Sequence, residues 1–347
     1  MSGKRQHFIP QFYQKGFLSE DHKKNYTYQY LKDGRVLSAN IKNVGTEGFF
    51  YSLNGDHSVD EVITEAETEF AMVVETLRQG KADEIKSSDI SKLIAHLEVR
   101  TRHIRASFQS SSLYLMGRMK ETLMNKKVLM NYFMINIMAS PDKLDELLTA
   151  EYERMMLPHQ LRVQVKKILI ENVGQWLPSI SEKIVELYTP ILTGFMDSKL
   201  PDAIKSGHLK ELGKSIYPDF KTEKYNSLKY KVLNVDRELP LGDSLVLFEV
   251  EGERRFKPFF EKNDLLKNVY IPISRNKLLW GTVDEVNPNL DDIDLYIAEC
   301  SFEFFIASVR NERLLYIQSM ISKNAYIISK EEIDCILSEL IADNFNV

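Results

Sequence analysis

The first 57 residues have the alternation and aromatic content of short β-strands. Residues 26–31 alternate and contain three tyrosines, and residues 36–39 have the apolar content of a second strand. Between them stands Asp33-Gly34, the pair that favours a tight hairpin turn. The pattern therefore predicts an N-terminal β segment built on a hairpin.

Residues 58–215 change to helical spacing. Ser58 and Glu61 form a capping-box pattern, and the helix that follows is expected to end at Gly80. A second helix is expected from Ser88, with an apolar stripe that continues without interruption to Phe108. Proline positions and apolar spacing predict further helices at 113–138, 141–156, 158–173, 180–196 and 201–212.

Strand-like patterns return after residue 225. Residues 229–235, 244–250, 269–273 and 277–281 are predicted strands, and 326–328 is a short candidate. A helix is expected over 292–310. Ser329 and Glu332 form a second capping box, which opens a final helix.

These patterns predict an α+β fold. An N-terminal β segment (1–57) and a C-terminal mixed α/β region (216–347) come together as one structural unit, and a large helical region (58–215) lies between them in sequence.

Composition narrows the class of protein. The 347 residues are 44% hydrophobic and 27% charged, as in soluble globular proteins, and the net charge of −5 argues against a generally polybasic protein. The two cysteines, Cys300 and Cys335, are too few for a disulfide framework and fit a reducing cytoplasm. Residues 1–7 contain no apolar signal segment, and no run of about 18 apolar residues predicts a membrane span.

Four stretches, at residues 6–17, 43–51, 97–102 and 242–246, carry a resemblance to a known family. The first has the sequence Gln-His-Phe-Ile-Pro-Gln-Phe-Tyr-Gln-Lys-Gly-Phe. It resembles the opening of the bacterial family known as domain of unknown function 4238. The resemblance covers most of the chain and implies a bacterial origin and a defence or mobile-element context, but no settled activity. Where family members often have a proline, this chain has Arg102, so the predicted helix there is not expected to break.

The opening motif supplies the first candidate site residues. His7 can act as an acid or base near neutral pH, and Pro10 would hold it on a rigid, non-helical segment. We take His7 as a candidate catalytic residue and Gln11 and Tyr13 as candidate substrate-binding residues. The alternative is a structural histidine that bonds to a backbone carbonyl, with the neighbouring aromatic residues in the core.

Arg100 is a further candidate for binding substrate. It flanks the apolar stripe of the second helix, whereas Arg102 points the opposite way, where Glu98 can pair with it. A half-buried arginine needs an acidic or phosphate partner, and a structural ion pair is the alternative. The spacing of His96 and His103 is seven, not the four of a zinc-binding helix.

Asp243 is the second candidate catalytic residue, because it stands at a turn before a predicted buried strand. A turn aspartate that bonds its own backbone is the ordinary alternative. With Glu249 and Glu251 it invites comparison with nucleases whose acids hold magnesium, but the lysine that usually follows the second acid is missing.

Two functions from different classes fit these residues. The first is a hydrolase for a phosphate-containing substrate such as nucleic acid. His7 and Asp243 would share a pocket, Arg100 would bind phosphate, and a divalent metal such as magnesium would assist. The basic residues between 100 and 127 would track phosphates, although such a run is also typical of a solvated helix face. The second is a non-enzymatic component that binds a protein partner through its helices. No membrane partner is expected.

Overall fold

The computed structural model describes residues 5–20, 24–52, 55–125, 127–128, 130–131, 134–135, 141–284 and 286–345. The chain forms two compact units. The first unit comprises Met1–Gln109 and Ala203–Ile327, and the second comprises Ser110–Asp202 and Ile328–Val347.

A four-stranded sheet in the first unit unites early and late parts of the chain. It contains β2 (Tyr26–Leu31), β3 (Val36–Asn40), β6 (Leu241–Gly242) and β11 (Phe304–Ala307) in the order β3-β2-β11-β6. The predicted hairpin is confirmed, with Gly34 at φ +88° in its turn. Because β11 pairs with both β2 and β6, the two ends of the polypeptide meet as expected.

A five-stranded sheet of the same unit has the order β5-β10-β9-β7-β8. Its strands are β5 (Lys229–Asn234), β7 (Leu247–Val250), β8 (Phe256–Lys257), β9 (Leu266–Ser274) and β10 (Lys277–Thr282). A separate ribbon pairs β1 (Arg5–His7) with β4 (Thr46–Gly48). The strand pairings found in the described residues are antiparallel. The C-terminal sheet expected from the sequence is therefore antiparallel in these pairings.

Helices of the first unit cover these sheets. They are α1 (Gln11–Gln14), α2 (Ser58–Arg78), α3 (Ser87–Val99), α9 (Asp219–Asn226), α10 (Ile293–Cys300) and α11 (Glu312–Gln318). One buried cluster centres on Trp280 and Tyr270 and packs against α10. A second centres on Tyr30, which stacks on Phe305 with ring centroids 4.7 Å apart.

The expected continuous helix from Ser88 to Phe108 is wrong, because the chain leaves the helix at Arg100 and Thr101. Helix α3 ends at Val99, and α4 (Arg102–Met124) begins a new helix. The carbonyl of Val99 accepts a hydrogen bond from His208, and that of Arg100 accepts one from Tyr51. Side chains therefore satisfy two carbonyls that a continuous helix would have paired with backbone N–H groups.

The expected helix over 292–310 is present only as far as Cys300, and its second half is wrong. Helix α10 ends at Cys300, and the chain then supplies β11 and α11. Residues 304–307 are all buried, so their apolar run is that of a central strand covered on both faces. The expected strand over 244–250 begins only at Leu247, because Leu245 has φ +66°. Residues 326–328 form no strand. The carbonyls of Tyr326 and Ile327 instead accept hydrogen bonds from the Arg254 side chain.

The second unit is helical in its described residues. It contains most of α4, then α5 (Pro141–Arg154), α6 (His159–Glu171), α7 (Val173–Gly194) and α12 (Lys330–Phe345), and α8 (Leu200–Lys214) begins in it. Helix α7 starts earlier than expected and includes Pro178 and Pro190 in its interior. The predicted 113–138 helix does not run unbroken, because α4 ends at Met124 and Asn125 is not helical. Residues 127–128, 130–131 and 134–135 are helical again, and residues 126, 129, 132–133 and 136–138 lie outside the described residues, as does the proposed cap at Ser140. No helix of the described residues is both long enough and apolar enough to cross a bilayer.

The two capping boxes have different outcomes. At α12 the box is confirmed, because Ser329 Oγ accepts from the Glu332 N–H and Glu332 Oε2 accepts from the Ser329 N–H. At α2 the predicted capping box is wrong. Ser58 is already helical, and its N–H donates a hydrogen bond to Asp56 Oδ1. Asp56 therefore satisfies one N–H group at the start of α2, while the Glu61 N–H donates to the His57 carbonyl.

Candidate functional site

Arg100 lies at the centre of a buried polar network in the first unit. It is fully buried, not half-buried as expected, and its Nη2 atom lies 2.6 Å from Glu67 Oε1. Nε donates to the Tyr51 hydroxyl and Nη1 to His96 Nε2. Burial lowers the pKa of Arg100, but Tyr51 and Glu67 outweigh it and raise the pKa overall. The guanidinium is therefore a charged group that the protein itself has satisfied.

His7 is joined to Arg100 through its backbone. The His7 carbonyl accepts from Arg100 Nη2 at 2.7 Å, and its ring Nε2 lies 3.3 Å from the carbonyl of Ile41. The side chain is half-buried, and burial lowers its pKa. The ring thus makes the backbone-carbonyl contact that the structural alternative predicts, and a catalytic role for His7 stays a prediction.

The rest of the opening motif fixes α1 against β9. Tyr13 is fully buried and donates to the Pro272 carbonyl at 2.9 Å, while Gln11 begins α1 and is half-buried. Arg78 donates to the carbonyls of Phe12, Tyr13 and Ile273. Sequence reasoning missed Arg78, because nothing in its helix marks it as different from a solvated arginine.

Asp243 binds the backbone at the start of β11. Its Oδ1 accepts from the Phe302 N–H at 2.6 Å, and its Oδ2 accepts from those of Glu303 at 2.7 Å and Phe304 at 3.2 Å. Burial raises the pKa of Asp243 to about 7, against the effect of these donors. The carboxylate therefore acts as a backbone connector between β6 and β11.

Arg102 links the two regions that contain the candidate catalytic residues. Its Nε lies 3.1 Å from Glu47 on β4, and its Nη1 bonds to Glu303, whose N–H is bound by Asp243. The expected pairing of Arg102 with Glu98 is wrong. Contacts thus join His7 directly to Arg100, and a longer chain through Glu47, Arg102 and Glu303 reaches Asp243.

Glu98 forms a second buried ion pair instead. Its Oε1 accepts from Lys221 Nζ at 2.7 Å, and its Oε2 accepts from the Tyr225 hydroxyl at 2.7 Å. Both charged side chains are almost completely buried. Burial raises the pKa of Glu98, and Lys221 opposes the shift. Local spacing gave no signal for this pair, because Lys221 lies 123 residues away from Glu98 in the sequence.

Glu249 and Glu251 lie at an open depression of the five-stranded sheet. Glu249 Oε1 accepts from Arg255, and Oε2 accepts from Asn268 and Tyr270, each at 2.7 Å. Glu251 pairs with Lys267 at 3.3 Å. Within the described residues, no group of three or more His, Cys, Asp or Glu side chains is placed to hold a metal ion.

The arrangement is that of a polar brace. Guanidinium, carboxylate and hydroxyl groups satisfy one another and the backbone, and they hold α1, α3, the β1–β4 ribbon and β11 together. Buried polar groups that are fully paired make a core rigid and specify one packing.

Comparison with known proteins gives one assignment. No curated protein and no solved structure matches the chain at a significant level. A family model described as "Protein of unknown function (DUF4238)" matches residues 5–334. This match covers nearly the whole chain, from the β1 ribbon to the first turn of α12. The chain therefore belongs to the DUF4238 family of proteins of unknown function.

Proposed function

We propose that this protein is a non-enzymatic interaction component of the cytoplasm, which binds a protein partner through α7 of its helical unit. The observation that carries the proposal is an apolar stripe on the surface of that helix. Ile180, Leu187 and Ile191 are 43%, 62% and 58% exposed, and Ile184 between them is half-buried.

The spacing of the stripe indicates what it would bind. Residues 180, 184, 187 and 191 follow steps of four, three and four, which place them on one face of an α-helix. This is the narrow seam through which helices pair side by side. We therefore infer that the partner presents an amphipathic helix.

The apolar surface is large enough to matter energetically. Burying an aliphatic side chain completely contributes about 1.5–3 kcal/mol, so covering the exposed parts of these three residues contributes about 2–5 kcal/mol. Further exposed apolar residues of the same unit are Met119, Met155, Met156, Leu161, Val163, Ile168 and Phe195. Contiguous exposed apolar surface is typical of interaction sites.

The hydrolase remains a prediction with less support from the site. The polar atoms of Arg100, Tyr13 and Asp243 are engaged by the protein's own groups, so a substrate would have to displace these contacts. Breaking such buried bonds costs about 1–3 kcal/mol for each group left unsatisfied.

A photo-crosslinking amino acid at position 187 tests the proposal in the cells that make the protein. We expect one defined protein adduct from position 187. The substitutions Ile180→Glu and Ile191→Glu should abolish it, because each places a charge in an apolar contact. Met156, which is 89% exposed and lies outside α7, is the control position. Equal adducts from positions 187 and 156, or an adduct that survives both glutamates, would refute the proposal.

A further inference from the structure

A basic cluster in the first unit has an unusual electrostatic arrangement at the start of α4. The first turn of this 23-residue helix contains Arg102 and Arg105 and no acidic residue. A helix N-terminus is itself positive, so two arginines there are unfavourable without anions. Residues three apart share one helix face, and side chains tilt toward the N-terminus. Both guanidinium groups therefore lie beside the helix start.

Arg105 is the residue that points to a ligand. It is only 7% exposed, and its guanidinium carbon lies 4.0 Å from the centre of the Phe50 ring. Nη2 donates to the Phe50 carbonyl at 3.0 Å, but Nε and Nη1 donate to no acceptor in the described part of the chain. Buried guanidinium donors without acceptors are costly, and such groups commonly mark a bound ion or water.

The nearest carboxylate satisfies Arg105 poorly. Glu47 Oε1 is 3.7 Å from Arg105 Nη1, which is beyond hydrogen-bonding distance, while its Oε2 lies 3.1 Å from Arg102 Nε. Glu47 is 36% exposed, so its side chain can turn into solvent without disturbing the core. One carboxylate thus serves two arginines and satisfies only one of them.

One more basic group lies close to the cluster. Lys205 Nζ donates to the Phe49 carbonyl at 2.9 Å, next to the carbonyl that Arg105 binds. His208 Nδ1 lies 3.3 Å from Arg105 Nη2, but burial lowers the pKa of His208 to about 4, so the ring is neutral near pH 7 and adds no charge. The second carboxylate, Glu303, is paired with Arg102. Among these described residues, three basic side chains and the helix end therefore stand against two carboxylates.

We propose that the face of α4 formed by Arg102 and Arg105 binds a phosphoryl oxyanion, and that the Glu47 carboxylate occupies this position until the ligand displaces it. A phosphoryl group has three acceptor oxygens and up to two negative charges, so it supplies more acceptors than Glu47 does. Arginine binds such oxyanions through several N–H groups at once. The proposed site binds its ligand and is assigned no catalytic step. It shares no residue with the partner surface on α7.

Calorimetric titration of the full chain tests this site, with inorganic phosphate as the first probe and a nucleoside monophosphate as the second. Chloride at equal ionic strength is the reference for a general salt effect. We expect phosphate to bind the wild type, and Glu47→Gln to bind it about tenfold more tightly or better, because a competing charge near the site is removed. Tighter binding of the nucleotide than of phosphate would identify a phosphoryl group on a larger molecule.

Variants of arginines on α4 complete the test. Arg105→Met is expected to abolish binding, and Arg102→Gln, at a side chain 41% exposed, to weaken it in a protein whose unfolding midpoint stays close to that of wild type. Arg118→Gln, farther along the same helix, is the control and should leave binding unchanged. Binding no stronger than that of chloride in both wild type and Glu47→Gln, or full binding by Arg102→Gln and Arg105→Met, would overturn the proposal.

Discussion

Two arginine–carboxylate pairs in the first unit have the same N–O distance, but one arginine is buried and the other exposed. Arg100 Nη2 lies 2.6 Å from Glu67, and Arg35 Nη2 lies 2.6 Å from Asp33. The Arg100 side chain is 0% exposed and that of Arg35 is 67% exposed. Replacing each arginine with methionine therefore compares one ion pair in two environments.

The two substitutions should differ greatly in their effect on stability. Removing one partner of a buried ion pair costs about 3–5 kcal/mol, because the other polar groups lose their partner away from water. In Arg100→Met these groups are His96 Nε2, the Tyr51 hydroxyl and the His7 carbonyl, while Glu67, 28% exposed, keeps access to water. An exposed pair contributes about 0–1 kcal/mol, so Arg35→Met should be nearly neutral.

Tryptophan fluorescence during urea unfolding measures this difference. The chain has two tryptophans, Trp176 in the second unit and Trp280, buried in the first. In a Trp176→Phe background, Trp280 therefore reports the unit that contains both arginines. With a slope of about 2 kcal/mol/M, Arg100→Met should shift the midpoint by about 2 M and Arg35→Met by less than about 0.5 M.

A substrate-binding role for Arg100 predicts the opposite effect on stability. If Arg100 serves mainly to bind a substrate, its removal should leave the stability unchanged or raise it, as is common for functional residues. Equal midpoints for the two variants, or a more stable Arg100→Met, would show that the brace is not what holds these elements together. Glu67→Gln keeps an acceptor for Arg100, so its effect should be intermediate. It should lower the free energy of unfolding by about 1–2 kcal/mol.

Two buried titratable groups should give pH dependences of opposite sign. The folded-state pKa of Asp243 is about 7, above its ordinary 3.8, so between these pH values the folded state binds one more proton than the unfolded state. The free energy of unfolding therefore falls as pH rises from about 4 to 7, by about 4 kcal/mol in all. Asp243→Asn should remove this slope, and an unchanged slope would contradict the assignment. Burial lowers the pKa of His103 to about 4, so the unfolded state binds the extra proton, and stability falls as pH drops from about 6.5 to 4, by about 3 kcal/mol. His103→Gln should abolish that loss in the same urea assay; the prediction fails if wild type and variant follow one curve.

Elements with local signals were predictable from the sequence. The Asp33-Gly34 hairpin and the Ser329 capping box depend on residues a few positions apart, and both are present. The same is true of the helix that stops at Gly80, where φ is +81°. Neighbouring residues decide these structures, so a single sequence contains the information.

Elements decided by distant partners were not predictable. The break at Arg100 depends on Tyr51 and His208, which lie far away in sequence. The strand β11 has the apolar pattern of a helix continuing from α10, and only pairing with β2 and β6 makes it a strand. Glu98 was assigned to Arg102 by local spacing, whereas its partner is Lys221.

For the candidate site residues, the sequence indicated buried charge but not the contacts that each charge makes. Sequence reasoning singled out Arg100 and Asp243, and both are buried at places where distant segments meet. Their contacts with backbone groups of His7 and of residues 302–304 are invisible without coordinates. A rare buried charge is conspicuous whether it binds a substrate or a loop, so the sequence alone did not separate these alternatives.

The position of β11 has a consequence for how the protein is made. Thr27 on β2 bonds to the carbonyl of Ala307, 280 residues later in the chain. At about 5–20 residues per second, a ribosome needs roughly 15–55 s to synthesise that interval. During this time the N-terminal hairpin exposes an unpaired edge of the kind that invites association with other chains. In the nascent protein, one edge of the β2–β3 hairpin therefore stays unpaired until β11 has been synthesised.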